Sequence, residues 1–302
     1  MPLPEFHFLS KLMMKNKLEG IFAPINIPFT GDEEVDYIGL SKNLQFYFSS
    51  ELNGLLVLGS NGEYKSLSEE EKIKIIETSV QLVAGRKTII VGVMYESLYL
   101  AKAFIEKVRN FCIDYLLVQP PFYFRGKFTD EDYYQYYLEF TRISPFPVLI
   151  YNAPGFTGVD FSEQLINRLA ELDQIVGIKD SSKMPKVFDT KLTVLTGTAN
   201  TLFEMLEKNA KGGIVSLANF LPELPVQIYN EYIKGNKEKA KSLQETAIQL
   251  NAFISGKSGV AGVKAGMDAM GLVGGELRKP LQRLSVQEVE KIRNSIKEIY
   301  PG

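Results

Sequence analysis

The stretch Ile175-Val176-Gly177-Ile178-Lys179-Asp180-Ser181-Ser182 decides how this chain is read. Four apolar residues run directly into a lysine and an aspartate. A strand that is apolar on both faces is buried on both faces, as in a parallel sheet covered by helices. An ammonium carried to the end of such a strand is costly unless something pairs with it or uses it.

Seven other short apolar, β-rich runs resemble it: IFAPINI from Ile21, GLLVLGS from Gly54, TIIVGV from Thr88, YLLVQP from Tyr115, PVLIYN from Pro147, TVLTG from Thr193 and GGIVSLAN from Gly212. Helical patterns separate most of them. In SEEEKIKIIETSVQLVAG, Ser68 and Glu71 have the spacing of a capping box and Gly85 fits the stop, while Thr129 opens TDEDYYQYYLEFTRI. Little more than KMPKVFD lies between the sixth and seventh runs, which makes that unit the weakest. Eight strands alternating with helices predict a (β/α)8 TIM barrel. A doubly wound sheet is the rival, but no run is followed by GxGxxG or by a Walker A lysine. The strand pattern ends near residue 219, and helical periodicity fills PELPVQIYNEYIKG, NKEKAKSLQETAIQLNAFIS, VAGVKAGMDAMG and SVQEVEKIRNSIKEIY. The expected organisation is a barrel over residues 17–222 and a C-terminal helical extension over 223–302. No Gly/Ser/Pro-rich linker separates the two, so the extension should pack on the barrel.

Composition narrows the chemistry. The 302 residues are 45% hydrophobic, enough for a substantial core. Acidic and basic residues number 36 and 34, for a net charge of −2, and are scattered, leaving no electrostatic footprint for nucleic acid or an anionic membrane. No apolar run approaches the roughly 20 residues of a spanning helix. The opening MPLPEFHFLSKLMMKNK is broken by Glu5, His7, Ser10 and Lys11 and lacks the apolar core of a secretory signal, so a cytoplasmic location is expected. Cys112 is the single cysteine, which rules out an internal disulfide and a multi-cysteine metal site. His7 is the single histidine, which disfavours a Ser-His-Asp hydrolase, a HExxH metalloprotease and a zinc site with histidine ligands. Any catalysis falls to lysine, tyrosine, carboxylates or hydroxyls, and neither cofactor nor metal is expected.

In a barrel the carboxyl ends of the strands face the active site. Three strand ends are polar here: Gly59-Ser60-Asn61-Gly62-Glu63, Tyr151-Asn152 and Lys179-Asp180. Lysine attacks a carbonyl only as the free amine, and an apolar wall disfavours the ammonium, which is how a buried lysine becomes a Schiff-base nucleophile. The alternatives for Lys179 are a side chain that snorkels to solvent or one that pairs with Asp180. Tyr151 can relay protons through its phenol, or simply pack with a hydrogen-bonded tip. The Gly59–Gly62 stretch offers unobstructed N–H groups for a carboxylate, or an ordinary turn.

At these residues the sequence resembles the class I pyruvate-aldolase superfamily of dihydrodipicolinate synthase and N-acetylneuraminate lyase. Gly59 to Glu63 is similar to that family's G-T/S-x-G-E loop. Tyr151-Asn152-Ala153-Pro154 followed by Thr157-Gly158 is similar to its Y-N-x-P-x-x-T/S-G segment, and Gly177 to Ser181 to its G-x-K-D/E-S/T strand. The resemblance runs from about residue 17 to the end of the chain. It implies a TIM barrel assembled as a homotetramer, a dimer of dimers. Lys179 would form an imine with pyruvate or another 2-keto acid. Tyr151 would transfer the proton during C–C bond making or breaking, helped by Ser60 and by Tyr123, the latter reaching a neighbouring subunit's site. The N–H groups of Ser60 and Asn61 would hold the pyruvyl carboxylate, with Gly62, Ser181 and Val215 also against the substrate.

Synthases of this family carry an arginine where Phe156 stands, and an apolar ring cannot make that arginine's pair with a second carboxylate. GSNGE, Phe122-Tyr123-Phe124-Arg125-Gly126, IVGIKDS, Ala218-Asn219 and Lys279-Pro280-Leu281 together are more similar to 4-hydroxy-2-oxoglutarate aldolases. Met94 and Tyr95 are bulkier than the residues usual after the third strand, and either narrow the pocket or pack beneath it. The resemblance leads to a cofactor-free lyase that splits a 4-hydroxy-2-keto acid into pyruvate and an aldehyde. A dihydrodipicolinate synthase-type condensation of pyruvate with an aldehyde, a 2-keto-3-deoxy sugar acid aldolase or dehydratase, and a non-catalytic barrel are the other outcomes, the last disfavoured because Lys179, Tyr151, Ser60 and Tyr123 are all present.

Overall fold

The computed structural model describes residues 17–182 and 190–300. His7 and the stretch KMPKVFD lie outside the described residues. Eight parallel strands close into a barrel in sequence order: β1 (Gly20–Pro24), β2 (Gly54–Val57), β3 (Thr88–Val93), β4 (Tyr115–Val118), β5 (Val148–Asn152), β6 (Ile175–Asp180), β7 (Thr193–Thr196) and β8 (Gly212–Ile214). β8 returns to β1 through the pairs Gly20↔Gly212 and Phe22↔Ile214. The eight strands are buried throughout, apart from Val176 and Thr193, as a sheet enclosed by helices requires. At the seam the backbones approach so closely that a Cβ on Gly212, with φ of 145°, would lie 1.8 Å from the Gly20 carbonyl oxygen. Only glycine fits there.

The outer helices follow their local signals. α1 spans Tyr37–Ser49, and α2 (Glu69–Val83) starts at the expected capping box, with the Ser68 hydroxyl accepting from the Glu71 N–H and the Glu71 carboxylate from the Ser68 N–H. Its end differs slightly from expectation: Ala84 already turns left-handed (φ 48°), and Gly85 follows with φ of 71°. α3 (Leu98–Val108) is capped by Ser97, and α4 (Asp130–Ile143) by a second capping box made by Thr129 and Asp132. The barrel layer continues with the single turn α5 (Pro154–Thr157), α6 (Glu163–Leu169) and α7 (Leu202–Glu207). After β8 come α8 (Glu223–Ile233), α9 (Lys237–Asn251), α10 (Lys257–Ala269) and α11 (Val286–Ile299), matching the four helical patterns of the tail. A π-helical turn, Ala252–Gly256, joins α9 to α10. The tail helices share the hydrophobic core with the barrel through Leu250, Ile254, Val263, Met267, Ile292 and Ile296.

Candidate active site

β5 and β6 pair with an irregularity. Val148 is opposite Ile175, but the next pair is Leu149↔Gly177, so Val176 is an extra residue on β6. Successive residues of a strand point to opposite faces, so one inserted residue reverses the facing of everything after it. Without the bulge Tyr151 would sit opposite Ile178, and Lys179 opposite Asn152. With it, Tyr151 and Lys179 are in register on adjacent strands, and Leu195 of β7 is the neighbour on the other side of Lys179.

The Lys179 Nζ lies 4.6 Å from the centre of the Tyr151 ring. Lys179 is 5% exposed and Tyr151 2%, so the lysine does not snorkel to solvent. Among the described residues no ion pair joins it to Asp180. That aspartate shares its facing with Asn152, its opposite number on β5, and accepts from the Asn152 Nδ2 (3.1 Å) and the Ser182 N–H (2.9 Å). Burial pushes the Asp180 carboxyl above its ordinary value, with Asp160 adding to the effect and the bonds from Ser182 and Asn152 opposing it. Lys179 and Asp180, adjacent in sequence, thus belong to different layers of the structure.

Ser60, Asn61 and Gly62 form a 3-10 turn at the end of β2, closed by the Gly62 N–H to the Gly59 carbonyl and the Glu63 N–H to the Ser60 carbonyl, both at 3.1 Å. The residues that bracket it, Leu58 and Glu63, are left-handed, with φ of 61° and 50°, an unfavourable conformation for side chains of their kind. The turn is tied to its neighbours. Asn61 donates its Nδ2 to Ser216 Oγ (2.8 Å) beyond β8, and Asn26 beyond β1 donates its Nδ2 to the Asn61 carbonyl (3.4 Å). Asn219 accepts from the Asn26 N–H at 3.0 Å and donates to the carbonyls of Pro24 (3.0 Å) and Ser216 (3.1 Å), with the Tyr47 hydroxyl closing the network at 3.1 Å to the Asn219 carbonyl. Both Asn26 and Asn219 are fully buried, and such groups need all these bonds.

Ser181 continues β6, its N–H bonded to the Asn152 carbonyl at 2.8 Å. Gly197 beyond β7 makes room for it, since a Cβ there would lie 1.8 Å from Ser181 Oγ. Val215 is fully buried at the end of β8, its N–H bonded to the Phe22 carbonyl at 3.1 Å. The carboxyl ends of β5 and β6, with Tyr151 and Lys179, and the segments after β2, β6 and β8, with Ser60, Asn61, Gly62, Ser181 and Val215, therefore lie at the same end of the barrel. Tyr123 stands apart. It is 74% exposed beside Phe124 at 64%, the two rings meeting edge to face at 4.9 Å. Glu96 holds this loop by accepting the N–H groups of Phe122 and Tyr123, both at 2.9 Å. Tyr95 packs against α3 and the start of α2: its ring contacts Tyr64 and Phe104, and its hydroxyl donates to Glu69 at 2.7 Å.

Sequence reasoning did not single out Asn26, Gly197 or Glu96. Each acts on another residue's position, and no motif spacing marks that. Among the described residues no cluster of His, Cys, Asp and Glu could hold a metal ion, and no helix is long and apolar enough to cross a membrane.

A closed (β/α)8 barrel with polar groups gathered at its strand ends is an enzyme scaffold, and comparison with known proteins gives its class. The chain is a class I, Schiff-base-forming, pyruvate-dependent lyase. It belongs to the Dihydrodipicolinate synthetase family, which it matches over residues 17–299. It is 30% identical to a 4-hydroxy-tetrahydrodipicolinate synthase of Archaeoglobus fulgidus, covering 93% of this chain and 98% of that one. It is also 30% identical to an uncharacterized DapA-like lyase of Halobacterium salinarum, over 88% of this chain and 89% of that protein. Among solved structures, a chloride-inhibited dihydrodipicolinate synthase from Acinetobacter baumannii complexed with pyruvate superposes with a TM-score of 0.88 at 29% identity, covering 94% of this chain and 99% of that one.

Proposed function

We propose that this lyase cleaves or forms a 4-hydroxy-2-keto acid through an imine on Lys179. The observation that carries the proposal is the in-register pair, a buried lysine amine 4.6 Å from the Tyr151 ring. The free amine adds to the C2 carbonyl and water leaves, giving the imine. On the protonated imine, Tyr151 takes the proton of the 4-hydroxyl while handing its own phenolic proton to Ser60, the C3–C4 bond breaks and the aldehyde departs, and the electron pair is drawn toward the imine nitrogen, leaving a neutral enamine. Protonation at C3 and hydrolysis release pyruvate and restore the amine. Ser60 passes the proton on, and the N–H groups of Ser60 and Asn61 hold the carboxylate, with Gly62, Ser181 and Val215 around it. Tyr123 completes the relay in a second copy's site, so the working form is a homotetramer. The exposure of Tyr123 and Phe124 on a single chain supports this reading.

One observation favours condensation of pyruvate with an anionic aldehyde as a second reading. Phe156 is 67% exposed at the loop after β5, yet Arg125 from the loop after β4 packs on Gly158, close enough that a Cβ there would lie 2.6 Å from the Arg125 Nε. A guanidinium is thus at hand two residues from Phe156 and can pair with a second carboxylate. A panel of 4-hydroxy-2-keto acids with a coupled assay for pyruvate separates the readings. Pyruvate release that vanishes in Lys179→Ala supports cleavage. Pyruvate consumption with an anionic aldehyde, lost in Arg125→Ala, supports condensation, and loss of substrate without pyruvate indicates dehydration. No turnover of any member by the native chain refutes all three.

A further inference from the structure

Glu63 and Lys264 form an ion pair of 2.7 Å inside the protein, their side chains 1% and 3% exposed. It joins the turn after β2 to helix α10 of the tail. The second Glu63 oxygen accepts the Arg278 N–H at 3.1 Å. Lys264 also donates to the Glu276 carbonyl and lies 4.6 Å from the Phe29 ring centre. Burial lowers the Lys264 ammonium below the usual lysine range, and Glu63 works against that. So enclosed a pair does not arise from surface charge patterning, and removing one partner leaves the other uncompensated.

Glu63 is also the residue whose left-handed backbone and N–H close the 3-10 turn Ser60–Gly62. We infer that Lys264 is a positioning residue for this turn: through Glu63 it fixes the N–H groups of Ser60 and Asn61 and neutralises a carboxylate that would otherwise lie beside an anionic substrate. This rests on the reading above that the turn receives the pyruvyl carboxylate. The tail is then part of the binding site as well as a cover for the barrel.

The two ways of breaking the pair are not equivalent. In Lys264→Met, Glu63 remains as a bare anion next to the turn, free to relax from its left-handed conformation and opposed to a second carboxylate. In Glu63→Gln the amide oxygen still accepts from Lys264, the amide NH2 gives up the bond from the Arg278 N–H, and no anion remains. A role limited to packing would affect both variants alike.

The test is the pyruvate concentration giving half-maximal borohydride-trapped adduct on Lys179, read by mass spectrometry on the full chain. Lys264→Met should raise it by about ten-fold or more, and Glu63→Gln by at least about three-fold less than that. Because Lys264 acts through Glu63, the double variant Glu63→Gln/Lys264→Met should match Glu63→Gln. An effect of Lys264→Met no larger than that of Glu63→Gln overturns the inference. If Lys264→Met does not fold, the double variant decides: binding equal to that of Glu63→Gln supports the role, and weaker binding overturns it. Absence of any Lys179 adduct in the native chain removes the underlying reading and this inference with it. A normal native adduct with no difference among the variants overturns this inference alone.

Discussion

Replacing Tyr151 by phenylalanine removes one hydroxyl from the proposed site and little else. The ring is 2% exposed and keeps its volume, its place beside Lys179 and its main-chain pairing on β5. No core methylene is lost and no cavity opens, so stability should change by about 1 kcal/mol or less, the scale of a single hydrogen bond. The chemistry should respond quite differently. Loss of a positioned general acid–base costs about 10²-fold or more in rate, which corresponds to about 2.7 kcal/mol on the barrier. The imine forms through Lys179, so trapping of the pyruvate adduct by borohydride should persist while turnover in the coupled assay collapses. Two measurements on one variant thus separate binding from proton transfer. Unchanged turnover, or an adduct lost together with activity in a stably folded variant, would refute the assignment of Tyr151.

Three further expectations follow from the geometry. Gly197→Ala places a Cβ 1.8 Å from Ser181 Oγ and 3.0 Å from Ser181 Cα; overpacking of this kind costs about 1–3 kcal/mol, and a native-like melting temperature would show that the approach is not so close. Mixing inactive Tyr123→Phe with inactive Tyr151→Phe should restore activity, because a hybrid assembly contains one site with both phenols; no recovery after subunit exchange argues against a shared site. Hydrogen bonds from the Arg278 guanidinium hold the Glu71 carboxyl below its ordinary 4.5, against the cost of its burial. The stabilisation is complete above 4.5 and is lost as pH falls through the depressed value, so Arg278→Met should lower the melting temperature at pH 7 and the difference should shrink in acid. A difference that is constant with pH would assign the effect to packing alone.

The architecture was legible in the chain because its signals are local. Eight apolar runs, the capping residues Ser68 and Thr129, and four helical patterns in the tail each reflect forces acting within a few residues, and the barrel is their shared solution. The candidate chemistry was legible in outline, since an isolated lysine at the end of an apolar strand is anomalous on any reading. The facing of that lysine was not legible. IVGIKD reads equally well with Lys179 turned into the barrel or away from it, and the choice depends on the single extra residue, Val176, that β6 inserts when it pairs with β5. Lys264 and Glu63 are 201 positions apart in the chain and meet only because the tail helices pack over the barrel. Residue type and local periodicity were written in the sequence; register and long-range contact were settled by folding, because strand pairing and burial are interactions between segments that no single segment specifies.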